Sequence, residues 1–419
     1  MTGAWRRKLL LVFAAALLVR AAYSAAFPPG ALVNDARGYD VIGWNLASGA
    51  GFSLEPGVPT PVRAPLFPAL LAAVYAVFGH HPALGALAQA LLGALACLLV
   101  FDIAARLWDR RTALLAAWLA ALMPVSVVYS GLLLSETLFT ALFLLSLAAF
   151  LRSEGGGRAG WLAASGAALA LATLTRPTTI LFPGAAALAL LIGGGRRPAA
   201  AILLFLLAFA LVIAPWTARN YKRFGVLLPV ATGGATCLYA TGVEAEGGTY
   251  GQGFAEIAEK WKAFAASPDF RGGLDPDIRF DRELKAEGLA KIKAHPAGYA
   301  AVALKRMPKY WFSSHSSVFG VDKPLGEYRA EGRWLPIAAR GALAAFHAAV
   351  VLLAGLGMWL SRRTFRAWSI LLLVFVYFNM HALFDICPRY FVPIFPYLLM
   401  FCAAAVYGLK DRAAGKGRP

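Results

Sequence analysis

The residues of this chain that could do chemistry begin with acids and an arginine in its first polar stretch. Asp35, Asp40 and Arg63 lie between an apolar N-terminal run and the turn Ala64-Pro65-Leu66-Phe67-Pro68. A carboxylate can orient a hydroxyl group or take its proton, and a guanidinium can hold a phosphate through charge-assisted hydrogen bonds. Such groups at a membrane face could break a bond between a lipid phosphate and a sugar. We therefore predict that Asp35 is catalytic.

One more acid and two more arginines share this setting. Glu136 begins an apolar span, where an acid also stabilises the positive end of a helix dipole. Arg176 and Arg389 lie between apolar spans on the side with few basic residues, which the positive-inside rule does not explain. A lipid-linked phosphate would hold them there; the alternative is that each side chain reaches to phospholipid headgroups. We predict a phosphate site of Arg63, Arg176 and Arg389, with Glu136 as a second catalytic acid.

Five residues are secondary candidates for contact with substrate: Asp40, Arg219, Tyr221, His315 and Tyr390. Asp40 could support Asp35, or be a solvated loop acid. Arg219 and Tyr221 follow a span in an aromatic and basic run that an interfacial belt also explains. A lone histidine is more often structural than catalytic.

Signatures of the common cofactor sites are absent from the sequence. There is no phosphate-cradling Gly-Lys loop, no His-Glu-x-x-His and no Cys-x-x-Cys. Asp35 with Asp40 is a poor set of metal ligands on its own, so no metal or other cofactor is implied. Cys237 and Cys387 are expected on the same side and could pair, but nothing local requires a disulfide.

The elements that must position these residues are membrane helices. The chain is 59% hydrophobic and 15% charged, with a mean hydropathy of +0.63. A membrane helix needs about 20 apolar residues. Ten segments meet or approach this: 8–27, 83–105, 112–128, 133–151, 159–174, 178–192, 198–214, 338–360, 367–383 and 389–408. The predicted fold class is an all-α polytopic membrane protein with about ten transmembrane helices and a mainly helical extracytoplasmic region.

The basic residues behind the net charge of +18 are distributed unevenly between the two sides of the predicted spans. Connections on the side of the N-terminus hold most of the basic residues: Arg6, Arg7, Lys8, Arg106, Arg110, Arg111, Arg152, Arg158, Arg196, Arg197, Arg362, Arg363, Arg366, Lys410, Arg412, Lys416 and Arg418. The positive-inside rule then places both termini in the cytoplasm. No soluble basic face with interleaved aromatics remains, so nucleic acid is not an expected partner. Arg20 interrupts the N-terminal apolar run, which favours an uncleaved anchor over a signal peptide.

Three regions are predicted along the chain. Residues 1–214 form a membrane unit of seven spans, whose first outer loop covers 28–82. Residues 215–337 form an extracytoplasmic region with short amphipathic helices, and 338–419 add three spans. The apolar run Leu66–Phe78 is too short to span comfortably and is expected to be an outer-face or re-entrant helix.

Four stretches of the chain resemble the multi-spanning type-C (GT-C) glycosyltransferases, specifically bacterial relatives of protein O-mannosyltransferases and of the aminoarabinose transferase of lipid A. They are Asn34-Asp35 through Pro68, Leu134-Ser135-Glu136, Pro215-Trp216-Thr217-Ala218-Arg219-Asn220-Tyr221 and Pro388-Arg389-Tyr390-Phe391-Val392-Pro393. The resemblance implies that Asp35 is the key acid, that Glu136 is the second acid, and that Arg63 and Arg389 bind the donor phosphate. The soluble C-terminal domain of some members has no counterpart here, which leaves the acceptor unnamed.

The function expected on these grounds is inverting transfer of a sugar from a polyprenyl-phosphate-linked donor. The acceptor would be a lipid, glycan or protein on the extracytoplasmic face of a bacterial inner membrane. A transporter or flippase for lipid-linked sugars is one alternative, because buried acids and arginines can also line a pathway; a non-catalytic binder of lipid-linked sugars is a third option, which an activity measurement would exclude. Transport predicts ionisable residues near the middle of the bilayer, whereas the candidates here gather at one face. Membrane lipids are the other expected partners.

Overall fold

Helices make up nearly all of the structure, a computed structural model that describes residues 3–29, 32, 34–153, 158–192, 198–267, 270, 275–385 and 387–413. The membrane part and its first outer loop contain α1 (Gly3–Ala26), α2 (Asn34–Ala47), α3 (Leu66–Phe78), α4 (Pro82–Leu107), α5 (Arg110–Leu122), α6 (Pro124–Gly131), α7 (Glu136–Ser153), α8 (Arg158–Thr175), α9 (Phe182–Ile192) and α10 (Pro198–Phe224). The outer region contains α11 (Gly234–Ala245), α12 (Tyr250–Ala266), α13 (Pro276–Ala294), α14 (Pro296–Trp311) and α15 (Leu325–Ala330). It is followed by α16 (Trp334–Leu360), α17 (Phe365–Asn379) and α18 (Phe395–Ala413). A two-stranded antiparallel hairpin, β1 (Ser53–Glu55) and β2 (Val58–Pro59), lies between α2 and α3.

The predicted fold class is confirmed, because every predicted span lies on a helical segment. Within the described residues, six helices are long and apolar enough to cross a membrane, and α5 with α6 makes a seventh if the bent pair is one span. The other three predicted spans are shorter apolar helices, Ala159–Thr175, Pro177–Ile192 and Trp368–Asn379. The chain is therefore an integral membrane protein. The predicted outer-face helix Leu66–Phe78 is α3, with 13 residues.

A proline explains the break between α5 and α6. The two helices meet at an angle of 51°, and Pro124 is the first residue of α6. Met123 before it takes an extended conformation with ψ of 112°, as the residue before proline usually does because the ring crowds its helical conformation. The break leaves the carbonyl groups at the end of α5 without helical partners.

Small residues and aromatic rings pack the membrane helices together. The Cα of Gly357 in α16 lies against the backbone of α18 at Phe401, so any side chain at 357 would overlap that backbone. Between the helices, Phe143 makes edge-to-face contacts with Phe182 and Phe378 at ring-centroid distances of 4.9 and 5.6 Å. Such packing fixes how far each helix end reaches toward the outer side.

A buried arginine holds the outer region together, and a threonine beside it contacts the segment before α18. Arg306 of α14 donates hydrogen bonds to Thr241 (3.0 Å) and Glu244 (2.6 Å) of α11. Thr241 also donates to the backbone oxygen of Phe384, just before the segment that leads into α18. The region thus rests on the segment that carries Arg389.

The boundaries of the three predicted regions fall inside helices. Residue 214 lies within α10 and residue 337 lies within α16. The division of the chain into three regions stays a prediction. Of the basic residues used to orient the spans, Arg196, Arg197, Lys416 and Arg418 lie outside the described residues.

Candidate functional site

Five of the predicted site residues meet where five helical elements begin or end. Asp35 is in the first turn of α2, after Asn34, whose φ is +51°. Arg63 precedes α3, and Glu136 is the first residue of α7. Arg176 follows the last residue of α8, and Arg389 lies in the 3-10 segment Pro388–Ile394 that leads into α18. Each side chain is therefore fixed by a separate helix end.

These side chains form a row of alternating charge. Arg63 Nη2 lies 2.7 Å from Asp35 Oδ1, and Arg389 Nη2 lies 2.5 Å from Asp35 Oδ2. The Nε of Arg389 lies 3.1 Å from Glu136 Oε1, the same oxygen that accepts from Arg176. The order is Arg63, Asp35, Arg389, Glu136, Arg176, so Arg389 joins the two carboxylates.

The row runs from a solvent-accessible end to a buried end. The side chains of Arg63 and Asp35 are 28% and 26% exposed, whereas Glu136 is 0% exposed. Arg176 is also buried, and it donates a second hydrogen bond to Ser135. A ligand from outside would thus meet Arg63, Asp35 and Arg389 first, while Glu136 and Arg176 form the floor. We call the five residues the charged row.

Two tyrosines flank the charged row. The guanidinium of Arg176 lies 4.9 Å from the ring centroid of Tyr390, and that of Arg63 lies 5.6 Å from the centroid of Tyr39. These distances fit cation–π contacts. Tyr390, a secondary candidate from the sequence, is therefore part of the site.

Arginine pairing controls the ionisation of Asp35. Burial disfavours its charged form, but Arg63 and Arg389, together with the hydrogen bond from Arg389, outweigh burial and lower the pKa of Asp35. Both carboxylate oxygens are engaged by guanidinium groups. In this state Asp35 is ionised and a weak base.

Asp40 points away from the charged row. Its carboxylate accepts a hydrogen bond of 2.6 Å from Tyr75 and lies 3.0 Å from His80 Nε2. Trp44 stacks on His80 with ring centroids 4.9 Å apart. These contacts tie α2 to α3 and to the turn before α4, so the structure gives Asp40 a packing role.

Arg219 and Tyr221 are not brought to the charged row either. Arg219 lies over the rings of Phe52 and Trp216, at 5.4 and 4.7 Å from their centroids, and donates weakly to the Phe52 backbone oxygen. It thereby fastens the β hairpin to α10. Tyr221 is 59% exposed.

His315 is buried beside a second histidine. It stacks on His347 at 4.9 Å between ring centroids, and Phe391 and Phe395 pack around the pair. Burial, followed by the nearness of His347, lowers the pKa of His315 to about 3. The ring is thus neutral at ordinary pH.

The sequence interpretation missed Asp385. This buried carboxylate accepts a hydrogen bond from the backbone N–H of Cys387 (3.0 Å) and one from the thiol of Cys237 (3.3 Å). It makes no ion pair with any arginine or lysine that the structure describes. Its position four residues before Arg389 was the available signal. Cys237 and Cys387 are both free thiols, and burial and Asp385 raise the pKa of Cys237 to about 12.

The described part of the chain contains no group of three or more His, Cys, Asp or Glu residues arranged to hold a metal ion. The two acids of the charged row are occupied by arginines instead. That no metal or other cofactor is implied by the sequence stays a prediction.

Comparisons with known proteins agree on the type of molecule. The sequence model of the family described as dolichyl-phosphate-mannose-protein mannosyltransferase matches residues 62–218. This match includes Arg63, Glu136 and Arg176. None of the curated proteins compared with the chain matches it.

Solved structures share the fold. The oligosaccharyltransferase of Archaeoglobus fulgidus tethered with an acceptor peptide is similar with a TM-score of 0.55 and 15% identity, over 98% of this chain and 51% of that one. The archaeal oligosaccharyltransferase AglB of Archaeoglobus fulgidus, in complex with an inhibitory peptide and a dolichol-phosphate, has a TM-score of 0.54 and 16% sequence identity. The match covers 98% of this chain and 52% of AglB. ArnT of Cupriavidus metallidurans bound to undecaprenyl phosphate has a TM-score of 0.44 and 16% sequence identity. The match covers 99% of this chain and 79% of ArnT.

The chain spans about half the length of the archaeal oligosaccharyltransferase it matches. The family match and the shared fold together confirm the resemblance to type-C glycosyltransferases that the sequence predicts.

Proposed function

We propose that this chain is an inverting glycosyltransferase that moves a sugar from a polyprenyl-phosphate-linked donor to an acceptor outside the cytoplasm. The observation that carries the proposal is the charge of the row. Three guanidinium groups face two carboxylates, which leaves one positive charge in excess at a partly buried site. An anion that reaches the exposed end would balance this charge.

The donor phosphate would bind at Arg63 and Arg389. Both guanidinium groups are accessible from the same side and point at one carboxylate, Asp35. A phosphate oxygen forms charge-assisted hydrogen bonds with arginine of the same kind as a carboxylate does. The phosphate would therefore compete with Asp35 for the two arginines, while Arg176 is held on Glu136 below.

This competition would activate Asp35. Release from Arg63 and Arg389 removes the interactions that lower its pKa, so the freed carboxylate becomes a stronger base. Asp35 would then orient the acceptor hydroxyl or accept its proton as the oxygen attacks the anomeric carbon. If the acceptor is itself a phosphate, no base is needed and Asp35 only positions it.

The arginines would also stabilise the leaving group. The donor is a phosphodiester with one negative charge, and cleavage of its glycosidic bond leaves a phosphomonoester with a charge of about −1.5 to −2 at neutral pH. The added charge develops beside the guanidinium groups, which are already in place. Attack from the side opposite the phosphate gives inversion in a single displacement.

Asp385 fits the acceptor side of this reaction. It is buried, lies on the segment that carries Arg389, and is contacted by the Cys237 thiol, the Cys387 backbone N–H and the Tyr250 hydroxyl but by no cation of the described chain. A buried carboxylate without a cation is costly, and an acceptor hydroxyl or amino group would supply the missing donor. The acceptor would thus lie between Asp35 and the outer region.

The comparisons support the donor class. The matched family is described by its use of a dolichyl-phosphate sugar, and AglB, which shares the fold, has been solved with a dolichol-phosphate. A bacterial inner membrane, an extracytoplasmic site and cytoplasmic termini are parts of the same proposal, supported by the distribution of basic residues.

Purified protein with a radiolabelled polyprenyl-phosphate sugar tests the proposal. The wild type should release the sugar slowly to water, with inverted anomeric configuration, and Arg63→Ala and Asp35→Asn should reduce turnover at least about 100-fold, the scale of losing one preorganised electrostatic contact. Arg37→Ala is the matched control, because Arg37 lies exposed on α2 beside Asp35 and should keep full activity. Full activity in Arg63→Ala and Asp35→Asn would refute the site. Movement of the donor across the membrane of vesicles that contain the protein, without turnover, would favour the transporter alternative.

The role of Asp385 has a separate readout. Asp385→Asn should reduce transfer to a cell-envelope acceptor fraction much more than it reduces slow donor hydrolysis, since water needs no positioning by Asp385. An equal loss of both reactions would contradict an acceptor role.

A further inference from the structure

A second cationic site lies inside the helix bundle, away from the exposed end of the charged row. Arg20 is in α1 and only 2% exposed. Its Nη1 donates to the backbone oxygens of Ala16 (3.1 Å) and Ala121 (2.8 Å), and its Nη2 donates to that of Ala120 (3.1 Å). The last two are carbonyl groups at the end of α5, where the helix breaks.

Arg20 has no acid to neutralise it. No carboxylate forms an ion pair with it anywhere in the described chain, and its Nε–H has no hydrogen-bond acceptor. The carbonyl end of α5 offers only about half a unit of negative charge. A buried cation that lacks a full counter-charge is strongly unfavourable in a medium of low polarity.

A cavity lies beside this guanidinium. Its volume is about 40 Å³, where a single water needs roughly 10–15 Å³. Residues from α1, α4, α5, α6, α7, the 3-10 segment Pro388–Ile394 and α18 line it, among them Arg20, Gly93, Ser126, Thr137, Val392 and Leu399. Gly93 makes the room, because a methyl group there would lie 2.7 Å from Arg20 Nε.

Two hydroxyl groups at the cavity, those of Ser126 and Thr137, can act as donors. Neither Ser126 nor Thr137 has a hydrogen-bond partner for its hydroxyl in the described structure, so both can turn an O–H toward an occupant. Most of the remaining lining is carbon from Val392, Leu399 and neighbouring residues. A cation, hydroxyl donors and an apolar wall suit a small anion that is weakly hydrated.

We propose that this cavity binds a monovalent inorganic anion of halide size, chloride under ordinary conditions, between Arg20 and the hydroxyl groups of Ser126 and Thr137. Water would fill the space but leave the charge of Arg20 unbalanced. A phosphate is usually held by several charged or backbone donors, whereas this cavity offers the two remaining N–H groups of Arg20, on Nε and Nη2, and no second cation among its lining residues. The bound anion would join α1, α6 and α7.

Thermal unfolding of the full-length protein in detergent tests the proposal without any activity assay. At constant ionic strength, replacing gluconate by chloride or bromide should raise the unfolding temperature saturably, by ~2–4 °C once the site is mostly filled. A crystal structure in bromide should show anomalous scattering in the cavity. An unfolding temperature that does not depend on the anion, or a cavity that holds only water, would overturn the proposal.

Variants separate this site from general salt effects. Arg20→Gln should abolish the halide dependence, and Thr137→Val, which keeps Arg20 and its contacts with α5, should raise the halide concentration needed for half of the effect by at least threefold. Arg152→Gln is the control, because Arg152 pairs with Asp102 elsewhere in the bundle and should keep the full halide response. If Arg20→Gln does not fold, Thr137→Val alone decides: an unchanged halide response there would refute the site. None of these outcomes depends on the proposed glycosyltransferase activity.

Discussion

Replacing Glu136 by glutamine would remove the negative charge on which two arginines converge. Glu136 is fully buried and pairs with Arg176, itself buried, and with Arg389. Breaking a buried ion pair from one side typically costs about 3–5 kcal/mol, because the remaining charge stays buried without a partner. We expect Glu136→Gln to lie in this range, since Arg176 would keep its hydrogen bond to Ser135 and its contact with the Tyr390 ring but would have no carboxylate partner.

The lost stability should be restored when the positive charge of Arg176 is also removed. In Glu136→Gln combined with Arg176→Gln no unpaired buried cation remains at the floor of the row, so most of the destabilisation should disappear. A double-mutant cycle on the unfolding temperature of the purified protein measures this coupling. Glu55→Gln is the control, because Glu55 is exposed on β1 and should change stability by no more than about 0.5 kcal/mol.

The measurement can refute the reasoning directly. If Glu136→Gln unfolds at the wild-type temperature, or if the two substitutions simply add, Glu136 and Arg176 are not an interdependent buried pair. The site would then have no rigid floor, and Arg389 would lack one of its two supports.

Three further outcomes follow from contacts described above, two in the charged row and one between α16 and α18. Arg63→Lys should bind donor more weakly, by about tenfold, because lysine keeps the charge but loses the planar pair of donors; titration with a polyprenyl phosphate checks this, and wild-type affinity would contradict it. The lowered pKa of Asp35 means that its ion pairs add stability above its unfolded pKa near 3.8, and that this stability is lost as the pH falls through the lower folded value. Asp35→Asn should therefore flatten the acid side of a stability–pH curve below about pH 4, and an unchanged curve would argue against the pairing with Arg63 and Arg389. Gly357→Ala should destabilise the protein by about 1–3 kcal/mol, because a methyl group at that position overlaps the backbone at Phe401; normal thermal stability would show that the two helices can separate.

The helical architecture could be predicted because a membrane demands it. Each apolar run had to become a helix, since unpaired backbone groups are too costly in lipid. The count of spans also predicted that Asp35, Glu136, Arg176 and Arg389 share a side, and the structure brings them into contact. It was harder to predict whether α5 and α6 form one membrane span or two, because Pro124 bends the apolar run without ending it.

The sequence interpretation ranked Asp35 above Asp40 but could not show that the two side chains point in different directions. A helix turns about 100° per residue, so five residues along α2 the second acid faces another direction, toward Tyr75 and His80. The boundaries of α2 were needed to see this. Asp385 was missed for a related reason: its surroundings come from distant parts of the chain, since Cys237, which donates to it, is 148 residues away.

Arg389 has a consequence for how the protein matures. It contacts Asp35 across 354 residues of chain, and it lies immediately before α18. During synthesis the two acids emerge long before this arginine, so they face lipid headgroups and water with incomplete neutralisation until α18 is inserted. The charged row can therefore close only at that late stage, once α18 is in place.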